Sequence, residues 1–81
     1  MNIYMTSKAK EELGSLPLET KKHIVEKIRF FMRYRDPLVF AKYIAIEKVY
    51  RWRAGDYRIF FERHGDTLFI TNIKRRDRAY D

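Results

Sequence analysis

Cations and apolar residues alternate around a Gly-Asp step in the segment Tyr50-Arg51-Trp52-Arg53-Ala54-Gly55-Asp56-Tyr57-Arg58-Ile59-Phe60-Phe61. Guanidinium groups stay charged at any working pH and match phosphate oxygens in a two-pronged geometry, so the chemistry this segment offers is the capture of a phosphate. A second basic run, Lys74-Arg75-Arg76-Asp77-Arg78, leads to Tyr80, whose ring can stack on a base and whose phenol can handle a proton. The chain has no cysteine, which removes disulfides, a reactive thiol and thiolate zinc sites. His23 and His64 are isolated in sequence and form no ligand spacing, so neither a metal nor a small-molecule cofactor is expected.

What these arginines can do depends on which side of a strand they occupy. A two-residue loop at Gly55-Asp56, with Gly first as a type II′ turn prefers, sets Arg53 opposite Arg58 and Arg51 opposite Phe60. Side chains alternate between faces, so Arg51, Arg53, Arg58, Phe60 and Glu62 share one face, and Tyr50, Trp52, Ile59 and Phe61 share the other. The second set is the core face. Directly opposed like charges destabilise a sheet, and a bound anion would account for them. Two plainer readings stand beside this one. The arginines could lie across a solvated face with their stems on Phe60, and the basic tail could be a solvated end. An odd-length turn would move Arg58 to the other face.

The elements that must hold this hairpin follow from periodicity. Ile3 and Met5 alternate with polar neighbours as in a short strand, and Ser7 is a candidate N-cap. Ala9, Leu13 and Leu16 mark one helical face, which Gly14-Ser15 and Pro17 interrupt. Between Leu18 and Tyr34, Ile24, Val25, Ile28, Phe31 and Met32 recur at helical spacing, and Asp36-Pro37 stops the run. Residues 38 to 48 read as a turn leading into a strand. From Val49 the turn signals Ala54-Gly55-Asp56 and His64-Gly65-Asp66 divide three strands, roughly 49 to 54, 57 to 63 and 67 to 74, with Leu68 and Ile70 on the core face. The expected fold is α+β, one domain over residues 1–81 in the order β-α-α-β-β-β, with two helices packed on an antiparallel twisted sheet. In a meander of this kind the end of the last strand lies near the start of the middle one, close to Arg58.

A formal charge of +7 and a pI near 9.9 draw in polyanions, whether nucleic acid, an acidic protein or an anionic membrane. No targeting segment and no run of about 18 apolar residues is present, so a soluble, cytoplasmic protein with no membrane partner is expected.

The hairpin resembles the Y-R-x-R-x-G-D-Y-R-h-h-Y/F segment, h being apolar, of the RelE/ParE superfamily of toxins from toxin–antitoxin systems. The ending Arg76-Asp77-Arg78-Ala79-Tyr80 is similar to that family's R-x-x-x-Y close. Leu16-Pro17 between the helices and the element order agree as well, so the resemblance covers nearly the whole chain. The RelE-like branch implies a metal-independent endoribonuclease that cuts messenger RNA in the ribosomal A site and so inhibits translation. The ribose 2′-hydroxyl attacks the neighbouring phosphate while a base, cations and an acid assist. In that frame Arg58 would hold the scissile phosphate and Arg76 would stabilise the transition state. Tyr80 would stack or transfer a proton, and Arg51, Arg53, Lys74, Arg75 and Arg78 would bind RNA. The tail has neither His nor Glu, which leaves the general acid unassigned. An acidic, RelB-like antitoxin is the implied partner beside mRNA and the ribosome. The same resemblance leaves open a ParE-type inhibitor of DNA gyrase, and the residues alone leave open a nucleic-acid-binding module without catalysis.

Overall fold

In the computed structural model, which describes residues 1–78, the strand nearest the N-terminus lies beside the one nearest the C-terminus. The elements are β1 (Asn2–Met5), α1 (Ser7–Gly14), α2 (Leu18–Met32), a 3-10 turn (Pro37–Phe40), β2 (Lys42–Ile44), β3 (Val49–Ala54), β4 (Tyr57–His64), β5 (Thr67–Arg75) and a second 3-10 turn (Arg76–Arg78). One sheet holds all the strands in the order β1-β5-β4-β3-β2. The α+β class and the order read from the sequence hold, with β2 added at one edge. The three expected strands form an antiparallel meander, and β1 joins β5 in parallel, so the sheet is mixed.

Local chemistry explains where the helices begin. Thr6, not Ser7, caps α1: its backbone is extended and its Oγ1 accepts from the Ala9 N–H at 3.2 Å. Pro17 opens α2, where its missing N–H costs nothing. That helix closes at Met32, before Tyr34, and the Asp36-Pro37 pair starts the next element instead of ending this one. The Asp36 carboxylate accepts from the Leu38 N–H at 3.0 Å, with Pro37 at the first position of the 3-10 turn.

The core lies between the helices and one sheet face. Ile24 and Phe31 of α2 and Ala9 of α1 are buried against Trp52, Ile59, Phe61, Leu68, Ile70 and Ile73. Trp52 stacks with Phe31 at 5.0 Å, and its indole N–H donates to the Pro37 carbonyl at 3.1 Å, which fastens the 3-10 turn to the sheet.

A bulge in β5 decides what that strand presents. Phe60 pairs with Asn72 and Phe61 with Ile70, so Thr71 is an extra residue. Strict alternation from Ile70 would put Lys74 in the core and Ile73 outside. The added residue reverses the phase: Ile73 is buried and Lys74 faces out, across from Arg58.

Candidate functional site: an arginine-lined sheet face

The turn at Gly55-Asp56 has the expected length. Gly55 adopts φ +61°, a left-handed value that glycine tolerates, and Asp56 does not, the pattern of a type II′ turn. The register follows as read: Arg53 lies opposite Arg58, Arg51 opposite Phe60 and Trp52 opposite Ile59. Adding β5 extends a cationic row over three strands, Arg53 to Arg58 to Lys74, and a second row runs from Lys42 through Arg51 and Phe60 to Asn72.

This face is not evenly solvated. Arg53 is exposed and the Lys74 side chain is 39% exposed, whereas Arg51 and Arg58 retain only 5% and 4% of their surface. Phe60 is buried between them at 6%. Arg53 and Lys74 therefore form the exposed rim of the row, with Arg58 buried between them. The Arg58 Nη1 also donates to the carbonyls of Gly55 and Tyr57, each at 3.4 Å, which ties the side chain to its own turn. Buried guanidinium groups cost desolvation energy unless partnered, and neither Arg51 nor Arg58 is without a partner.

The basic end of the chain reaches this row through its backbone. The Arg76 N–H donates to the Asp56 carbonyl at 2.7 Å, continuing the β4–β5 ladder past Arg75 and placing the second 3-10 turn beside the Gly55-Asp56 loop. The proximity expected of the last strand and Arg58 is thus met. Arg75 is a different matter: it pairs with Tyr57 on the helix side of the sheet, away from Arg58, and its side chain lies 3.8 Å from Asp77. Arg78 belongs to the 3-10 turn. The Arg78 side chain and Tyr80 lie outside the described residues.

Glu12 of α1 is a site-proximal residue that sequence reading missed. Its Oε1 accepts from the Ile73 N–H at 2.9 Å and from the Asn72 amide at 3.5 Å, while Oε2 lies 3.8 Å from the Lys74 Nζ. Its signal was its place three residues beyond buried Ala9, on the flank of the face that packs on the sheet. A shallow groove between the first 3-10 turn and β2–β3, lined by Phe31, Val39, Phe40, Lys42, Arg51 and Arg53, opens beside the arginines. Among the described residues no group of His, Cys, Asp and Glu is assembled that could hold a metal ion, and no helix is long and apolar enough to cross a membrane.

A two-helix layer on a five-stranded mixed sheet is an arrangement with known structural parallels. No protein-family model matches the chain, and no curated protein matches it in sequence. Solved structures do. The chain is similar to one from the RelBE2 toxin–antitoxin complex of Mycobacterium tuberculosis, with 25% identity over 93% of this chain and 96% of that one and a TM-score of 0.77. It is also similar to a chain of the RelB–RelE antitoxin–toxin complex of Methanococcus jannaschii, at 26% identity over 95% and 94% of the two chains and a TM-score of 0.72. The RelE–RelB complex of Pyrococcus horikoshii OT3 shares the fold at 24% identity, over 96% and 97%, with a TM-score of 0.71. The RelE-like resemblance carried by the hairpin is met by these structural neighbours, which are RelB–RelE complexes.

Proposed function

We propose that this chain is the toxin of a RelBE-type toxin–antitoxin pair and acts as an endoribonuclease on messenger RNA. The observation that carries the reading is the row Arg53–Arg58–Lys74, with the Arg76 backbone held beside it by Asp56. Of the two components named in the neighbours' complexes, the toxin fits best. The chain builds its own core around Trp52 and Phe61, and it carries a net charge of +7 that suits a polyanionic substrate and an acidic inhibitor alike.

The chemistry asks for little beyond positioned charge. Arg58, with Arg53 and Lys74 at the rim, would bind the scissile phosphate and hold the ribose 2′-oxygen in line with the bond to be broken. Arg76 would meet the negative charge that develops on the phosphoryl oxygens as the 2′-oxygen attacks. Tyr80 would stack on the substrate or exchange a proton with the reacting oxygens, which requires cations near enough to favour its phenolate. Attack gives a 2′,3′-cyclic phosphate and a free 5′-hydroxyl on the departing fragment. Phe60 contributes a dry floor, in which each charge–charge interaction is stronger than in water. In this reading the protein works in the cytoplasm, on mRNA in the ribosomal A site, until an acidic RelB-like antitoxin covers the basic face.

Primer extension on a message translated in a purified system tests this. Wild-type protein is expected to give cuts spaced by codon. Tyr80→Phe should slow them by about 10² to 10⁴ with RNA binding retained, in line with a positioned acid–base group. Arg58→Ala should abolish them, its folding checked by circular dichroism. An intact message together with inhibited DNA gyrase would replace this reading with a ParE-type one. Salt-sensitive RNA binding without any cut would leave a binding module.

A further inference from the structure

The pairing of β1 with β5 stops at Met5 and Ile70, and the Thr6 N–H closes it on the Ile70 carbonyl at 2.9 Å. Beyond that point β5 runs on to Arg75 with no strand of the described residues on its outer side. This is the stretch that carries Lys74 onto the arginine face and leads into Arg76. An unpaired edge leaves its backbone N–H groups without a ladder partner, and a misplacement of about 1 Å can cost a catalytic site about 10²-fold in rate.

We infer that Glu12 is a positioning residue: its carboxylate replaces the missing strand, locking the end of β5 so that Lys74 and Arg76 are presented to the anion held by Arg58. The geometry is that of a side chain serving as a ladder partner. Oε1 takes the edge N–H of Ile73 at 2.9 Å, as a neighbouring strand's carbonyl would, and also the Asn72 amide at 3.5 Å. Oε2 faces the Lys74 ammonium at 3.8 Å with the Glu12 side chain 25% exposed, so the ion pair is partly sheltered. The opposite edge of the same segment is fixed by Arg58 pairing with Lys74 and by the Asp56–Arg76 hydrogen bond of 2.7 Å. The basic end of β5 is therefore gripped from both sides, by backbone on one and by a carboxylate on the other. Glu12 itself is held in place because α1 is capped by Thr6 and buries Ala9 against the sheet. It touches no reacting group, and its effect passes through residues 72 to 76.

The functional part of this inference rests on the RNA-cleavage reading, and the structural part does not, so the test reads both. Amide hydrogen exchange and single-turnover cleavage are measured on wild type, Glu12→Ala and Glu12→Gln. In Glu12→Ala, exchange at Ile73 to Arg76 should accelerate about tenfold or more while Ile59 and Phe61 keep their protection, as for a local opening. Its cleavage rate at saturating RNA should fall about tenfold with RNA affinity changed less than about threefold, the pattern of lost transition-state positioning. Glutamine keeps an oxygen acceptor for the Ile73 N–H, so Glu12→Gln should recover most of both. Unchanged exchange at residues 73 to 76, a loss confined to RNA affinity, or no recovery by glutamine overturns the inference. If wild type leaves RNA intact, the nuclease reading falls, and the exchange pattern with its recovery by glutamine alone decides whether Glu12 locks the strand. Should Glu12→Ala fail to fold, the Glu12→Gln data decide: wild-type exchange and cleavage support the lock, and lost protection at Ile73 overturns it.

Discussion

Replacing Arg53 with threonine removes one cation from a pair that the sheet sets directly opposite each other. Two unit charges about 6 Å apart in a water-like dielectric repel by about 0.7 kcal/mol. Directly opposed like charges destabilise a sheet, and the size falls within the range of about 0.2–1 kcal/mol typical of cross-strand pairs. Arg58 is buried at 4% exposure, but Arg53 is exposed, so water and salt reach the pair from its side. Threonine also suits a strand. The variant should be more stable by about 0.5 kcal/mol, which for a domain of this size raises Tm by about 2–4 °C. The gain is coulombic, so it should shrink in about 1 M NaCl, where the screening length is about 3 Å. RNA binding should move the opposite way. On the proposed function Arg53 meets one phosphate, and losing that contact lowers the slope of log affinity against log salt by about 0.7 for a single strand. Urea melts at low and high salt, paired with oligoribonucleotide titrations between about 50 and 200 mM salt, read both. A loss of stability that is the same at both salt concentrations, or an unchanged salt slope, refutes the reasoning that Arg53 is kept for an anion and not for the fold.

Two other substitutions probe the scaffold. Trp52→Phe removes the N–H that meets the Pro37 carbonyl at 3.1 Å and leaves space in a fully buried site. It should lower stability by about 2–4 kcal/mol in urea titration, from an unsatisfied carbonyl and a cavity together. Gly55→Ala has room for its methyl, 3.5 Å from the His23 Nε2, but must hold φ +61°. It should therefore cost about 1 kcal/mol by thermal melt, the left-handed penalty alone, and a neutral result would mean the turn had changed type.

The arginine face was legible because its geometry is local. A glycine that tolerates positive φ sets the turn length, and period-2 alternation then assigns every side chain from Tyr50 to Phe61 to one face or the other. The helix positions Ile24, Ile28 and Phe31 were legible for the same reason. What escaped was non-local or conditional. The four residues of β1 do not reveal that their partner is β5, since parallel pairing leaves no turn signal. Lys42–Ile44 is three residues long, set among the unpatterned apolar side chains of Leu38, Val39, Phe40 and Ile46, and its pairing with Val49–Arg51 appears only in the fold. The Thr71 bulge has no compositional mark, so neither the burial of Ile73 nor the outward turn of Lys74 could be read from alternation. The near-complete burial of Arg51 and Arg58 likewise contradicts what residue type alone suggests. Glu12 looked like any helix-surface acid, because its partners lie about 60 positions away.

The side-by-side placement of β1 and β5 has a consequence for when the sheet can be completed. Residues 2 to 5 can acquire their neighbours only after residues 67 to 70 have been made. Contacts so distant in sequence are slow to form, since closure of the whole intervening chain must precede them. Lys74 and Arg76 come later still, so during synthesis the emerging polypeptide carries the arginine hairpin without its full complement of cations. The cationic row that spans β3, β4 and β5 is thereby completed only when almost all of the described residues have been made.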